Sequence, residues 1–144
     1  MKHPLTLLSR VAAPLALVVL LLGAVAPSST AASASHVQVQ FHAVHSSGVS
    51  GFADLRQLSG GGTRINVVAF GLKPGANYLS LYYDNHVCAL EPYSADDVIG
   101  GFYRANSVGV GTTRGTADDD LDEINSVSVR KADFTLVACA NVHP

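Results

Sequence analysis

The sequence predicts an all-β domain, an antiparallel Greek-key sandwich or barrel of about eight strands. From His36 onward apolar and polar residues alternate with period two, as in HVQVQFHAV, which is typical of half-buried strands. Turns rich in Gly, Pro, Asn and Asp, such as GLKPG at residues 71–75, separate these segments. No stretch after residue 34 has a sustained apolar stripe of helical period.

The predicted strand segments follow one another along the chain. After HVQVQFHAV come GVSGFADLRQ, RINVVAFGL and NYLSLYYD, and then an irregular stretch over residues 85–98. The segments GGFYRANS, VGVGTTRGTA, INSVSVRKA and FTLVACANV complete the domain. Their β-branched and aromatic residues favour strands, and helix is expected only as a turn near SADDV.

The N-terminal residues 1–34 predict a secretory signal peptide with a helical apolar core. Lys2 and Arg10 give a basic start, residues 11–26 are apolar, and an Ala-Ser-Ala sequence ends at residue 34. The apolar run is shorter than the ~20 residues that a membrane span needs, and Pro14 interrupts it. We therefore expect a secreted, extracytoplasmic chain that is not embedded in a membrane, with a single all-β domain over residues 35–144.

The charge of the mature domain argues against two classes of partner. Removal of Lys2 and Arg10 lowers the number of Lys and Arg residues from nine to seven, against eleven Asp and Glu, a net charge of −4. Nucleic acid and anionic lipid both favour a basic surface. We therefore expect neither as the partner.

Cys88 and Cys139 are the two cysteines of the chain. Two cysteines in an oxidising compartment most often form one disulfide bond. A metal or redox pair would favour close spacing such as Cys-x-x-Cys, which is absent from the sequence. The sequence therefore predicts a disulfide between them.

The order of several motifs resembles that of copper–zinc superoxide dismutases, and chordin-type (CHRD) domains share part of it. These motifs are GVSGFADLRQ, GLKPG, the strand leading to Cys88, GGFYRANSVGVG and VACANV. The resemblance covers residues 48–142. It implies a Greek-key β-barrel in which a disulfide joins the loop after the fourth strand to the last strand.

The same comparison implies a degenerate family member that lacks the metal ligands. Ser80 and Tyr82 occupy the positions of the family's His-x-His copper ligands, and Leu136 replaces the substrate-guiding arginine. The stretch ALEPYSADDVIGG offers no histidine for zinc. Serine and neutral tyrosine are poor copper ligands, so we expect no cofactor and no dismutase activity.

The polar side of the fourth predicted strand is a candidate binding face. It carries Tyr78, Ser80 and Tyr82, with Tyr83 beside them, while the intervening leucines are expected to face the core. Tyrosine combines rigid contact area with a polar tip, which suits recognition surfaces. The alternative is that these are ordinary outward residues of a sheet.

Two groups of side chains are candidates for binding metal. A disulfide between the cysteines would bring His86 and His143 into one neighbourhood, where they could hold copper or zinc. The acidic stretch at residues 118–125 lacks EF-hand spacing but could hold calcium weakly. Exposed loop histidines and a solvated turn are the alternatives.

The sequence predicts a non-enzymatic protein. It contains no Gly-x-Ser-x-Gly nucleophile motif, and Asp96 and Asp97 are adjacent, so their side chains should point apart. We expect a binding or structural module whose partner is an unidentified protein or surface ligand. The alternatives are an extracytoplasmic copper-, zinc- or calcium-binding protein and a divergent superoxide dismutase.

Overall fold

A computed structural model describes residues 35–143, and the predicted signal peptide lies outside these residues. In this part of the chain nine strands form, and no helix is present that could cross a membrane. The all-β class expected from the alternating pattern is confirmed. The strands are β1 (His36–Gln40), β2 (His42–Ala43), β3 (Ser50–Gln57), β4 (Thr63–Phe70), β5 (Asn77–Tyr83), β6 (Tyr103–Arg104), β7 (Gly111–Ala117), β8 (Ser126–Lys131) and β9 (Leu136–Asn141).

The strands form two antiparallel sheets. Sheet 1 has the order β1-β3-β4-β7 and sheet 2 the order β2-β9-β8-β5-β6. A single residue, Phe41, separates β1 from β2, so the first strand segment begins in sheet 1 and ends in sheet 2. Phe41 is buried in the core. Its contacts there hold the two sheets together at the point where the chain passes from one to the other.

The main core lies between the sheets, and burial of its apolar surface is the chief stabilising contribution. In sheet 1 burial alternates along β4, where Ile65, Val67 and Ala69 are buried and their neighbours are partly or fully exposed. Sheet 1 therefore has one face in the core and one in water, as the period-two pattern predicts.

Sheet 2 is covered on both faces. Its outer face carries a second apolar cluster that includes Leu79, Leu81 and Tyr83, with Phe134 and Leu136 packed against it. The chain between β5 and β6 crosses this face, and Cys88 from that connection lies in the cluster. Strands β5 and β8 are consequently buried on both sides almost throughout.

The predicted disulfide between Cys88 and Cys139 is present. The S–S distance is 2.08 Å and the Cα atoms are 5.9 Å apart. Because Cys139 lies in β9 and faces the outer side of sheet 2 opposite Ser128, the bond ties the β5–β6 connection to the sheet that it covers.

We expect the Cys88→Ala/Cys139→Ala double variant to lose about 4 kcal/mol of unfolding free energy, because the bond closes a long loop in the unfolded chain. Urea unfolding of the oxidised wild type and the variant would measure the difference. Reduced wild-type protein is the matched control and should unfold like the variant. A loss below about 1 kcal/mol would contradict the prediction.

Candidate functional site

The orientation of β5 differs from the sequence prediction. Tyr78, Ser80 and Tyr82 are buried on the side that faces the core between the sheets, with Ser80 0% exposed. Leu79 and Leu81 are also buried, but in the second cluster on the outer side. The predicted exposed tyrosine face is therefore wrong, because the β5–β6 connection covers the apolar side and the other sheet covers the polar side.

The hydroxyl groups on the inner side of β5 are bonded within the protein. The Tyr78 hydroxyl accepts a hydrogen bond from the Lys73 backbone N–H at 2.9 Å. The Ser80 and Tyr103 hydroxyls are 3.1 Å apart, and burial raises the pKa of Tyr103 to about 12. The Tyr82 hydroxyl donates to Asp118 at 3.3 Å. These hydrogen bonds stabilise the fold, and the tyrosines reach solvent only at the edges of two clefts, one lined by Tyr78 and the other by Tyr82.

Tyr83, the fourth residue of the predicted binding face, lies on the outer side of β5 and belongs to a buried polar network. Its hydroxyl accepts a hydrogen bond from Nε of Arg130 at 2.8 Å and is 2.9 Å from the Ser128 hydroxyl. The Arg130 guanidinium also lies over the Tyr83 ring, 5.8 Å from its centroid. Tyr83 is thus only 4% exposed, and its remaining accessible surface lies in the cleft at the end of β5.

Arg130 is the centre of this network, although its side chain is only 5% exposed. Its two terminal nitrogens donate to the backbone carbonyls of Phe134 and Cys88, each at 2.6 Å. No carboxylate pairs with Arg130 among residues 35–143. The sequence did not indicate this role, because the alternation in SVSVRK reads as a solvent-facing polar side.

The two histidine candidates lie at the same end of the sandwich, after β5 and after β9. His86 is exposed, whereas Nε2 of His143 is 2.9 Å from the Leu121 carbonyl, to which it donates. Among the residues that the structure describes, no three His, Cys, Asp or Glu side chains converge as a metal site. A two-histidine site stays a prediction.

An open cleft of about 790 Å³ lies at one end of the sandwich, and we call it the end cleft. Its walls come from three connections, at residues 44–49, 71–77 and 131–137. Gly71 adopts a φ of +74°, and a Cβ atom there would lie 2.6 Å from the Gly48 carbonyl oxygen. Glycine is therefore required where the first two walls meet.

The lining of the end cleft is mostly apolar, with a few charged groups. Val49, Leu72, Leu136 and several other apolar side chains contribute to it, together with Tyr78. Of these residues, the sequence indicated only Tyr78 as a candidate for binding. Lys73 and Lys131 add positive charge, and Asp133 adds one carboxylate. The Asp133 carboxylate accepts the Thr135 N–H at 3.0 Å, so it is engaged within its own turn.

A second cleft of about 480 Å³ lies at the opposite end, where β5 finishes, and we call it the acidic cleft. Five carboxylates share its lining with aromatic residues; the acidic residues are Asp84, Glu91, Asp97, Asp119 and Glu123. Burial and the charges of Asp118 and Glu123 raise the pKa of Asp119. Burial and the neighbouring Asp84 likewise raise the pKa of Glu91.

The acidic stretch at residues 118–125, interpreted from the sequence as a solvated turn or a weak calcium site, has a structural role at this end. Oδ1 of Asp120 accepts hydrogen bonds from the Gly62 N–H at 2.8 Å and from the Gln57 amide at 2.6 Å. Asp120 thereby holds the β3–β4 turn against the β7–β8 connection. These bonds lower the pKa of Asp120 and keep it charged.

No protein-family model and no curated protein matches this chain.

We expect Arg130→Met to cost about 3 kcal/mol of unfolding free energy, because it leaves the buried Cys88 carbonyl and the partly buried Phe134 carbonyl without their donor. Urea unfolding would measure the loss. Arg104→Met is the matched control, since Arg104 is exposed and makes one backbone hydrogen bond, and it should cost no more than about 0.5 kcal/mol. Equal losses in the two variants would contradict the prediction.

We expect Asp119→Asn to stabilise the protein at pH 7 by about 0.5 kcal/mol, because it removes one of several crowded like charges. The folded-state pKa of Asp119 is raised. Ionisation of this carboxyl as pH rises therefore lowers the free energy of unfolding of the wild-type protein. The gain should therefore disappear in acid, where the wild-type carboxyl is also neutral.

Thermal unfolding from pH 3 to pH 8 would test this pH dependence. Asp133→Asn provides a control of opposite sign, because hydrogen bonds from Thr135 lower the pKa of Asp133 and its charge therefore stabilises the fold at neutral pH. A gain for Asp119→Asn that does not change with pH would contradict the explanation by charge crowding.

Proposed function

We propose that this protein is a secreted, non-enzymatic β-sandwich binding module related to superoxide dismutases and CHRD domains, and that it binds a small ligand in the end cleft. The observation that carries the proposal is the end cleft itself, which combines an apolar lining with Lys73 and Lys131. Clefts of a few hundred Å³ that are mainly apolar, with a few placed polar groups, are the usual form of small-molecule sites.

The path of the chain supports the family part of the proposal. After β5 and β6 in sheet 2, the chain crosses to sheet 1, where β7 lies beside β4, and then returns to sheet 2, where β8 lies beside β5. Strands that return over the end of a sandwich to lie beside earlier ones are the mark of a Greek key. The disulfide between the β5–β6 connection and the final strand supports the same assignment.

The residues at the family's catalytic positions support a non-enzymatic role. Ser80 and Tyr82 are buried and their hydroxyls are engaged by Tyr103 and Asp118. Leu136 packs with the second apolar cluster. None of the three presents an imidazole or a guanidinium, which are the groups that the family uses for metal binding and substrate guidance.

The disulfide and the predicted signal peptide support secretion, because a pair of cysteines remains oxidised in extracytoplasmic compartments. Outside the cell a small binding module needs a stable scaffold. The disulfide contributes that stability, and the Arg130 network also holds the β8–β9 turn that forms one wall of the end cleft.

The chemistry of the end cleft favours a ligand with an apolar body and an anionic end. Apolar walls gain from burial of hydrocarbon, and Lys73 and Lys131 can meet a carboxylate or phosphate. Because the Asp133 carboxylate is hydrogen-bonded within its own turn, positive charge from the two lysines predominates in the end cleft. A long-chain carboxylate fits both features.

Calorimetric titration of the oxidised protein with dodecanoate tests the proposal, with dodecyltrimethylammonium as the cationic counterpart. We expect saturable binding of dodecanoate and a Kd about tenfold higher for Lys73→Gln/Lys131→Gln, equivalent to losing one charge-assisted contact. Ala132→Trp, which fills the cleft, should also weaken binding. Arg64→Gln/Arg114→Gln removes the same charge on sheet 1 and should leave the Kd unchanged.

Three outcomes would refute the assignment of the ligand site to the end cleft. They are no binding of dodecanoate, equal binding of the cationic amphiphile, and equal weakening by both double variants. Elemental analysis after exposure to copper, zinc and calcium belongs to the same experiment. Stoichiometric metal that is lost in His86→Ala or His143→Ala would support the metal-binding alternative instead.

A further inference from the structure

The exposed face of sheet 1 carries three arginines, and we call it the arginine face. Arg56 on β3 is paired in register with Arg64 on β4, and Arg114 on β7 is paired with Asn66, two residues further along β4. Residues directly opposite in an antiparallel sheet share a face. The buried neighbours of Arg56 and Arg64, including Leu55 and Ile65, face the core, so the arginines face solvent.

Most of the positive charge on this face is not neutralised. Its one carboxylate, Asp54, is 2.6 Å from Nε2 of His36 and 3.3 Å from Nε of Arg56. In the part of the chain that the structure describes, no carboxylate lies within ion-pairing distance of Arg64 or Arg114. Two guanidinium groups with five N–H donors each therefore stay open to an anionic partner.

The arrangement of these arginines is unfavourable for the isolated domain. Like charges directly opposite each other across two strands are destabilising, and Arg56 and Arg64 are such a pair. Arg114 lies on the diagonal from Arg64, roughly 7–8 Å away. A partner that carries several negative charges along its length would relieve the repulsion and engage all three.

The shape and the other residues of the arginine face restrict the partner further. Phe52 and Val68 are half-buried on it, and Phe70 is 40% exposed at its edge. Amide and hydroxyl side chains surround the arginines on the same face; they are Gln38 and Gln40 on β1, Asn66 on β4, and Thr112 and Thr116 on β7. An open face with such groups suits an extended, hydroxyl-rich chain.

We propose that the arginine face binds an acidic polysaccharide, a linear sugar polymer with carboxylate or sulfate groups. The arginines pair with the acidic groups, the amides and hydroxyls meet the sugar hydroxyls, and Phe70 offers an apolar contact. The amide and hydroxyl side chains beside the arginines favour a hydroxyl-rich polymer over nucleic acid or an anionic membrane.

This proposal is independent of the ligand in the end cleft, and two charge-matched variants separate the two. Arg64→Gln/Arg114→Gln removes two positive charges from the arginine face, and Lys73→Gln/Lys131→Gln removes two from the end cleft. All four side chains lie outside the core, so both variants should fold. Their unfolding midpoints, compared with that of the wild type, check this.

Binding of the oxidised protein to immobilised heparin and alginate, with dextran as the uncharged control, tests the proposal. We expect the acidic polymers to bind and dextran not to bind. The Kd should rise about tenfold for Arg64→Gln/Arg114→Gln and by less than about twofold for Lys73→Gln/Lys131→Gln. The slope of log Kd against log salt should fall by about two in the arginine variant only.

Each remaining outcome would overturn the proposal. Equal losses in the two variants would mean that net charge alone governs binding. Retention of heparin and alginate binding in the arginine variant would place the contact elsewhere. Binding of single-stranded poly(dT) DNA as tight as that of either polysaccharide would assign the face to nucleic acid. Failure of both acidic polymers to bind would show that the arginine face is not a polysaccharide site.

Discussion

The buried guanidinium of Arg130 joins two parts of this protein that are distant in sequence, residues 83–88 and residues 130–134. It donates to Tyr83 on β5, to the carbonyl of Cys88 in the β5–β6 connection and to the carbonyl of Phe134 in the β8–β9 turn. The disulfide from Cys88 to β9 fixes the same connection from the other side. Buried polar groups without partners are costly, so the covering connection and the sheet beneath it depend on each other.

This covering determines which surfaces can reach a partner. Both faces of sheet 2 are covered, one by sheet 1 and one by the β5–β6 connection. The tyrosines of β5 therefore reach solvent only at the edges of the two clefts. The surfaces left to solvent in the described residues include the outer face of sheet 1 and the two ends. The end cleft and the arginine face are therefore better candidates for binding than the strand that the sequence emphasised.

The distribution of charge matters more here than its total. Nine of the eleven acidic residues of the chain lie at residues 84–97 and 118–123. These two connections lie at the end of the sandwich that holds the acidic cleft. The arginines of sheet 1 and the lysines of the end cleft lie elsewhere. A net charge of −4 for residues 35–144 thus conceals two local excesses of positive charge, because strand register and turn placement decide which charges become neighbours.

The sequence by itself determined the all-β class and the pairing of Cys88 with Cys139, because strand periodicity is local and two cysteines allow one intrachain bond. It also predicted the turn at residues 71–75, since glycine readily adopts the positive φ that Gly71 has there. It could not determine which side of β5 faces the core, because period two is identical for both sides. The burial of Arg130, both clefts and the arginine face were decided by tertiary structure alone, since each depends on contacts between segments that no local pattern records.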